Sequence, residues 1–518
     1  LGGEFGGKGS QMDIPLCYHL AKQCGRPVHM QMSYTEEFTA GNPRHAAYVR
    51  FKTGVKRDGT LVAHQADVIY DGGAYGAFKP VPAIGLNGSA KAGGVYRIPN
   101  CTIDAYIVYT NHVPGGFMRS PGEPQMCFAI ESHIDVVARK LGLNPLDMRR
   151  RNMLREGEAN TVGIAWQDQR FHEVLDAAIT NSNYGQPKPR PNVGRGIGVA
   201  DRHIGGGASE ALLEIGADGV VHLISGTPDA GQGSHTMLRQ VIAGKFTIPL
   251  EQVVVTVANT DVAPLDGGLR ASSTTHLTGT AVVMAADQAI SELKGWAAEL
   301  RGWEESKIVL EDGKFVVVPG PRSQVPGQGA GDLGLGTSDL GPVPFAEAAA
   351  MAVRRKGEQL RFHARYEQEH VPQGCVAAQV AEVEVDPETG EISVLRITTA
   401  HDTGLLINPM AAEGQIEGAL AQGVGFATME EMQLQDGRVT NPNFGEYKIP
   451  TMPDVPELKM VFLEDAPGPS PFGGRAVGEH SHTPTAAAIA NAIEDAVGVR
   501  ITSTPLTAEK VYQALHRH

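Results

Sequence analysis

Glu479 is the residue whose sequence setting most suggests chemistry. It ends a glycine-rich heptapeptide, Gly473–Glu479 (Gly-Gly-Arg-Ala-Val-Gly-Glu), and a strongly helical stretch follows at Ala486–Val497. A carboxylate on a glycine turn at the mouth of a helix can be aimed into a cavity. Burial there raises the pKa of a glutamate toward neutrality, as a general base requires. The alternative is an acidic residue near a helix N-terminus, which the helix dipole favours without any catalytic role.

Other segments combine glycine with small polar or charged residues. They are Gly2–Gly9, Gly115–Gln125, Asp229–Thr236, Gly267–Gly279 and Gly414–Gly425. None has P-loop spacing or the GxGxxG pattern of a dinucleotide fold between a strand and a helix. Each alone is typical of a tight turn. Together they indicate a large polar ligand held by backbone N–H groups, hydroxyls and amides, with Gln232, Gln415, Ser272 and Thr274 as candidate side chains.

Composition excludes several classes of protein. A net charge of -14 argues against nucleic acid, whose phosphates require a basic face. No apolar run approaches the roughly 18 residues of a membrane span. The cysteines show no C-x-x-C pair, so neither an iron–sulfur cluster nor a structural zinc site is indicated. Their odd number fits free thiols in a reducing compartment. Cys17 and Cys24, seven apart, are expected on the buried face of one helix.

The elements that must position these residues alternate between strand hairpins and single helices, which predicts an α+β fold. Strands are expected at Val28–Ser33, Tyr48–Val55, Leu61–Tyr70, Ala208–Ile215, Val220–Gly226, Val253–Ala258, Ala378–Val385 and Ile392–Ala400. Helices are expected at Pro15–Cys24, Pro124–Leu141, Pro145–Asn152, Ser234–Phe246 and Gly279–Arg301. The proline-rich stretch Tyr184–Gly194 is the predicted domain linker, and Pro319–Pro344 is a predicted flexible surface loop.

The order and spacing of the motifs resemble the molybdenum-binding subunit of the xanthine dehydrogenase/aldehyde oxidase family of molybdenum hydroxylases. The match runs from Leu1 to about Arg500. The corresponding segments are the first cofactor loop at Gly2–Lys8, the arginine loop at Met118–Gln125, the Gly-Gln-Gly turn at Gly231–Gly233, the Gly-Ser-x-x-Thr type loop at Ala271–Thr275, the Gly-Gln-Ile-Glu-Gly segment at Gly414–Gly418 and the catalytic Val-Gly-Glu turn at Val477–Glu479.

This resemblance implies two elongated molybdenum-cofactor-binding domains with the cofactor between them. The first would be the remainder of a domain at residues 1–183, lacking its N-terminal part, and the second would span 195–518, joined by the linker at 184–194. A pterin dithiolene would hold the molybdenum, so no protein side chain would be a metal ligand. The implied cofactor-binding residues are Gly3, Phe5, Gly6, Gly7, Gly231, Gln232, Gly233, Ala271, Ser272, Thr274, Thr275, Gln415 and Gly478.

The resemblance also assigns catalytic roles. Glu479 would act as the general base in a hydroxylation that takes its oxygen from water, and Arg119 would stabilise developing negative charge. The alternative for Arg119 is a surface loop arginine paired with Glu123. His235, His276, His480 and His482 flank the motifs and are interpreted as solvated loop histidines without a role.

Departures from the family pattern bear on the substrate. Gly9 stands where purine-oxidising members carry an acidic residue, and Pro121 replaces the aromatic residue that stacks on flat substrates. The cysteine-bearing loop of carbon monoxide dehydrogenases is absent from the sequence. The Arg-Ser-Pro-Gly-Glu form is similar to bacterial members that oxidise aldehydes or N-heteroaromatic carbons, so a small molecule of these classes is the expected substrate.

The family further implies the molybdopterin cytosine dinucleotide cofactor of bacterial relatives. It also implies a [2Fe-2S] partner subunit, an FAD subunit and a chain carrying the N-terminal part of the first domain. A cytoplasmic location is expected. The periplasm stays the alternative, because a targeting signal would lie upstream of this sequence. Two other functions stay open at this point: a nucleotide-dependent oxidoreductase, and a non-catalytic assembly paralogue of the same fold.

Overall fold

A computed structural model describes residues 3–7, 13–75, 84–318 and 341–516 of the chain. The helices are α1 (Asp13–Cys24), α2 (Tyr34–Ala40), α3 (Glu123–Lys140), α4 (Pro145–Asn152), α5 (Phe171–Asn181), α6 (Ser234–Phe246), α7 (Thr274–Arg301), α8 (Phe345–Lys356), α9 (Pro409–Thr428), α10 (Thr485–Val497) and α11 (Ala508–His516). Short 3-10 helices lie at Ile84–Lys91, Leu250–Gln252, Glu305–Lys307, Met452–Asp454 and Pro471–Gly473.

The strands form separate sheets whose neighbours are mostly antiparallel. They are β1 (Ala47–Val55), β2 (Leu61–Gly73), β3 (Asn100–Tyr109), β4 (Val193–His203), β5 (Gly207–Ile215), β6 (Val221–Ser225), β7 (Val253–Val257), β8 (Ile308–Glu311), β9 (Lys314–Val317), β10 (Val343–Pro344), β11 (Leu360–Gln368), β12 (Gly374–Val385), β13 (Ile392–Asp402), β14 (Leu434–Gln435), β15 (Arg438–Val439) and β16 (Glu457–Leu463). This mixture of helices and antiparallel strands confirms the predicted α+β class.

The chain divides into two compact units. The first comprises Leu1–Ile204, Pro372–Pro467 and Arg475–His518, and the second comprises Gly205–Val371 with Gly468–Gly474. The segment 184–194 lies within the first unit, and the division at that segment stays a prediction. Of the loop predicted at Pro319–Pro344, residues 319–340 lie outside the described part of the chain, whereas Val343 and Pro344 pair with Phe315 and Lys314 as β10.

The first unit contains two main sheets. One has the order β1-β2-β3, and the other has the order β16-β13-β12-β4, in which only the β13–β16 pairing is parallel. Helix α10 packs on β4 and β12. Alternate glycines on β4 allow this approach, because a Cβ on Gly198 would lie 2.5 Å from Pro484 O and one on Gly194 or Gly196 would meet the α10 backbone still closer. The strand that carries Arg202 and the helix that follows Glu479 are therefore held in direct backbone contact.

The second unit has a sheet of order β11-β5-β6-β7, on which α6 and α7 pack, and a smaller sheet of order β10-β9-β8. Helix α7 buries an alanine-rich face with residues such as Ala281, Ala285 and Ala289. Across the described ranges of the whole chain, no helix has the length and apolarity that a membrane crossing requires.

Most predicted elements are confirmed within about two residues, including the helices α3, α4 and α6, and the β1–β2 hairpin is confirmed as well. The strands β2 and β12 and the helix α7 each extend about three to five residues beyond a predicted end. The strand predicted at Val28–Ser33 is wrong, since the described structure shows no strand pairing there and most of its side chains are exposed. The buried position expected for Cys17 and Cys24 is also wrong. Cys24 is exposed and Cys17 only half-buried, because no residue of α1 for which burial is described is fully buried.

Candidate active site

The loop at Arg119–Ser120 is where several sequence motifs of the first unit meet. The Arg119 backbone N–H donates to Phe5 O at 2.7 Å, which fixes the first glycine loop beside the arginine loop. Ser120 adopts a left-handed backbone with φ 57° and is fully buried. This conformation is uncommon for a residue with a side chain, and it is sustained by contacts on both sides of the loop. Motifs that lie more than a hundred residues apart in sequence are thus brought together.

Arg119 is buried within this cluster, with 5% of its surface exposed. Its guanidinium donates to Gly478 O at 2.7 Å, to Gln415 O at 2.9 Å and to Gln422 Oε1 at 3.2 Å. It also lies 5.8 Å from the Phe5 ring centroid. Burial lowers the pKa of Arg119 to about 10, which leaves it cationic near neutral pH. The interpretation of Arg119 as a surface arginine paired with Glu123 is therefore wrong.

Glu479 lies against the same loop. Ser120 donates its backbone N–H to Glu479 Oε1 at 3.0 Å and its hydroxyl to Glu479 O at 2.9 Å. Arg202 of β4 donates to the same Oε1 at 2.8 Å and to Glu123 Oε1 at 2.7 Å. The Glu479 side chain is 15% exposed. A guanidinium and a peptide N–H at one carboxylate oxygen favour the ionised form, which is the form that can accept a proton.

Buried histidines and a further arginine surround this loop. Arg44 donates to Arg119 O at 2.8 Å and contacts His482 at 3.1 Å. His480 contacts His401 at 3.1 Å, and burial lowers the pKa of His480 to about 3. The interpretation of the flanking histidines as solvated is wrong for His276, His480 and His482, which are all buried. His480 and His482 lie in the buried turn that leads into α10, and His276 lies in the first turn of α7.

Gln415 lies in a helix. The segment Gly414–Gly425, grouped with the glycine loops from its sequence, is part of α9. Asn408 caps this helix by accepting the Ala411 N–H at 2.9 Å, and Pro409 follows as the first helical residue. A Cβ on Gly414 or on Gly418, one turn later, would meet no atom within 4 Å. The helix therefore presents an open glycine face, and Gln415 is half-buried beside it.

In the second unit, the hydrogen bonds of the Gly-Gln-Gly turn are mainly internal to the segment 229–234. The Asp229 carboxylate accepts the N–H groups of Gly231 and Gly233 at 2.9 and 3.2 Å. The Gln232 side chain accepts the Ala230 N–H at 2.8 Å and donates to Ser234 Oγ at 3.0 Å. In this structure, these groups shape the loop that leads into α6. The left-handed Gly231 and Gly233 have nothing within 4 Å of an added Cβ, so a ligand could approach their backbone closely.

The N-terminus of α7 offers a different kind of surface. Ala271 and Ser272 are successive left-handed residues, with φ 46° and 55°, and the helix begins at Thr274 without a side-chain cap. Thr274 and Thr275 are half-buried in its first turn. Backbone N–H groups and hydroxyls at a helix N-terminus suit the oxygens of an anionic ligand. Within the second unit, these donors and the open Gly231 and Gly233 positions therefore fit an anionic organic group.

Sequence reasoning missed the residues that hold the catalytic candidates in place. Ser120, Glu123 and Asp229 lay inside motifs but received no positioning role, while Arg44 and Arg202 were not singled out. The sequence of β4, Val193–His203, does not distinguish Arg202 from Arg195 and Asp201, the other charged residues of that strand. Among the described residues, no group of three or more His, Cys, Asp or Glu side chains is arranged to hold a metal ion.

Comparison with known proteins adds independent evidence. Two models of a molybdopterin cofactor-binding domain match residues 1–153 and 173–456. The xanthine dehydrogenase molybdenum-binding subunit of Escherichia coli O157:H7 is 32% identical over 543 residues, covering 100% of this chain and 68% of that protein. The aldehyde oxidoreductase of Megalodesulfovibrio gigas is 31% identical over 535 residues, covering 99% of this chain and 54% of that protein.

A solved structure also resembles this chain along its whole length. Quinoline 2-oxidoreductase from Pseudomonas putida 86 has a TM-score of 0.89 to this chain at 26% identity, covering 100% of this chain and 68% of that one. The protein is a molybdenum hydroxylase, an oxidoreductase that binds a molybdenum–molybdopterin cofactor. The chain belongs to the molybdenum-binding subunits of the xanthine dehydrogenase/aldehyde oxidase family.

Proposed function

We propose that this subunit hydroxylates the carbon of an aldehyde or an N-heteroaromatic ring with oxygen derived from water. The observation that carries this proposal is the position of Glu479, whose carboxylate accepts hydrogen bonds from the Ser120 N–H and from Arg202. A carboxylate fixed in this way has the orientation and charge that a general base needs. The Arg-Ser-Pro-Gly-Glu sequence at Arg119–Glu123 supports these substrate classes over purines.

Glu479 takes the proton that is released as a water-derived oxygen attacks the substrate carbon. Ser120 and Arg202 hold the carboxylate during this transfer, and partial burial keeps competing water from it. Arg119 contributes positive charge at the same loop while its donors hold Gly478 and Gln415 in place. When bound, the molybdenum–pterin group supplies the two-electron redox chemistry.

The cofactor would be held by backbone and small polar groups. The proposed residues are Gly3, Phe5, Gly6, Gly7, Gly231, Gln232, Gly233, Ala271, Ser272, Thr274, Thr275, Gln415 and Gly478. The open glycine positions on α9 and in the Gly-Gln-Gly turn, and the uncapped start of α7, support this assignment. Gly231 and Gly233 would contribute close backbone approach, since their N–H groups donate to Asp229.

We further propose the cytosine dinucleotide form of the cofactor, and electron transfer to a [2Fe-2S] subunit and an FAD subunit. The cysteines of this chain are free thiols without C-x-x-C spacing, so reoxidation would be carried out by other chains. Mass spectrometry of the native complex tests both points. It should show a cytosine-containing pterin and iron–sulfur and flavin chains, and a plain molybdopterin or an isolated active subunit would contradict them.

The reaction itself is tested with labelled water. In H₂¹⁸O, the purified complex should incorporate ¹⁸O into the carboxylate formed from benzaldehyde or into the ring carbonyl formed from quinoline. Hypoxanthine serves as the purine comparison and should be turned over at least tenfold more slowly. Absence of ¹⁸O from the ring carbonyl formed from quinoline would contradict the proposed reaction, and preferential oxidation of hypoxanthine would contradict the proposed substrate class.

A further inference from the structure

Arg202 is a buried arginine shared between two carboxylates. It lies near the end of β4, with 5% of its surface exposed, and donates to Glu123 at 2.7 Å and to Glu479 at 2.8 Å. Burial by itself lowers the pKa of Arg202, but the two adjacent carboxylates outweigh burial and the pKa of Arg202 is raised. Arg202 therefore stays cationic throughout the pH range of an enzyme assay.

The charges of Arg202, Glu123 and Glu479 do not cancel. One guanidinium faces two carboxylates, so the three groups together carry a net negative charge when all are ionised. Within the described structure, Glu123 Oε2 and Arg202 Nε are buried without a hydrogen-bond partner. Glu123 is also the first residue of α3, where the helix dipole favours its negative charge. Glu123 consequently competes with Glu479 for the single positive charge of Arg202.

We propose that Arg202 is a positioning residue that fixes the orientation of Glu479 and sets the pH at which Glu479 can act as a base, with Glu123 opposing it. This inference rests on the proposed role of Glu479. It assigns a function to a strand residue outside the glycine motifs. Among the described residues, the cations that act on Glu479 are Arg44, Arg119 and Arg202, and His203 also interacts with it. Glu123 shares Arg202 with Glu479, and His480 is the next residue in the chain.

Substitutions at Arg202 and at Glu123 should shift the pH–rate profile in opposite directions. Arg202→Met removes a positive charge beside Glu479, so the acidic limb of the pH–rate profile should move to higher pH by about 1–3 units. Glu123→Gln removes a negative charge and leaves Arg202 to Glu479 alone, so the acidic limb should move to lower pH. The measurement is the limiting rate at which substrate reduces the molybdenum-loaded holoenzyme between pH 5 and 9. The KM for substrate should change little in both variants.

A second readout does not depend on turnover. Infrared difference spectra between the wild type and Glu479→Gln isolate the carboxylate band of Glu479, whose pH titration should shift in the same two directions in the Arg202 and Glu123 variants. If Arg202→Met does not fold, the shift measured in Glu123→Gln tests the proposal alone. Arg202→Lys keeps the positive charge, so it should move the acidic limb less than the shift of about 1–3 units expected of Arg202→Met.

Arg195→Met is the matched control. Arg195 lies near the opposite end of the same strand, is similarly buried and pairs with Glu382 at 2.6 Å. Its loss should lower stability and leave the acidic limb in place. The inference would be overturned if the acidic limb of the pH–rate profile stayed at the same pH in both Arg202→Met and Glu123→Gln. It would also be overturned if the KM rose tenfold while the acidic limb stayed in place. Failure of the proposed function is separate, because it would appear in the wild type as absent ¹⁸O incorporation.

Discussion

Ser120 binds Glu479 twice, through its backbone N–H to the carboxylate at 3.0 Å and through its hydroxyl to the backbone carbonyl at 2.9 Å. The two residues lie 359 positions apart in the chain. The left-handed backbone at Ser120 turns the N–H toward the carboxylate, and the hydroxyl fixes the turn that carries it. A loop residue with an uncommon backbone conformation therefore sets both the position of the Glu479 turn and the orientation of the Glu479 side chain.

Glu479→Gln should retain the fold and the molybdenum content while turnover falls about 10²–10⁴-fold. The amide keeps the shape of the side chain and can still accept from Ser120, but it cannot take a proton. Steady-state kinetics and metal analysis of the purified complex check this. Glu391→Gln, at an exposed residue just before β13, is the control and should be fully active. Loss of molybdenum in Glu479→Gln would indicate a structural role instead.

Ser120→Ala should reduce stability and activity less than Ser120→Pro does. Alanine keeps the backbone N–H bond to Glu479 and loses only the hydroxyl bond, so the expected stability loss is about 1 kcal/mol. Proline removes the N–H and requires φ near -65°, so both the turn and the carboxylate lose their support. Thermal unfolding and kcat distinguish the two variants. Equal activity in both would show that the Ser120 N–H does not position Glu479.

Local sequence patterns were sufficient to predict the β1–β2 hairpin, α3, α6 and the pairing of β12 with β13, because each depends on contacts close in sequence. The glycine segment at Gly414–Gly425 was misassigned because its helix depends on an Asn408 cap and on packing of Gly423 against Thr485. The Arg202 contacts could not be predicted, since they join a strand, a helix start and a turn that are distant in sequence. Pairings of this kind are determined by tertiary packing.

Arg119→Ala should lower both stability and activity. The expected catalytic loss is about 2–4 kcal/mol of transition-state stabilisation. Stability falls as well, because Gly478 O and Gln415 O lose their shared donor. Arg119→Lys keeps the charge but cannot reach three acceptors, so it should recover part of the rate and little of the stability. The kcat/KM and the urea midpoint are measured together. Arg361→Ala, whose side chain is 70% exposed, should change neither.

Gly196→Ala should prevent stable packing of α10 on β4. A Cβ at Gly196 would collide with the backbone at Ala488 and Ala492, which cannot yield as a flexible side chain would. Overpacking of this kind typically costs about 1–3 kcal/mol and more against backbone. Gly54→Ala is the strand control, because its nearest neighbour would be at an ordinary 3.4 Å. Comparison of expression yield and thermal midpoint tests the difference, and equal midpoints would contradict the close strand–helix contact.

Acidification should destabilise the first unit through its buried histidines. Burial, together with Arg202 and Arg119, lowers the pKa of His480 to about 3, and burial lowers the pKa of His401 and His482 in the same direction. The unfolded chain takes up these protons below its ordinary histidine pKa of about 6.5, whereas His480 in the folded protein does not until about pH 3. The stability contributed by these neutral histidines is therefore fully present above pH 6.5 and is lost progressively as the pH falls toward 3.

At pH 5 His480 should account for about 2 kcal/mol of lost stability. His480→Gln cannot take up a proton in either state and can still bond to His401, so its urea midpoint should fall less between pH 7.5 and pH 5 than that of the wild type. His19→Gln replaces an exposed histidine and should follow the wild type. If His480→Gln loses as much stability on acidification as the wild type does, the acid sensitivity arises from carboxylates instead of this buried histidine.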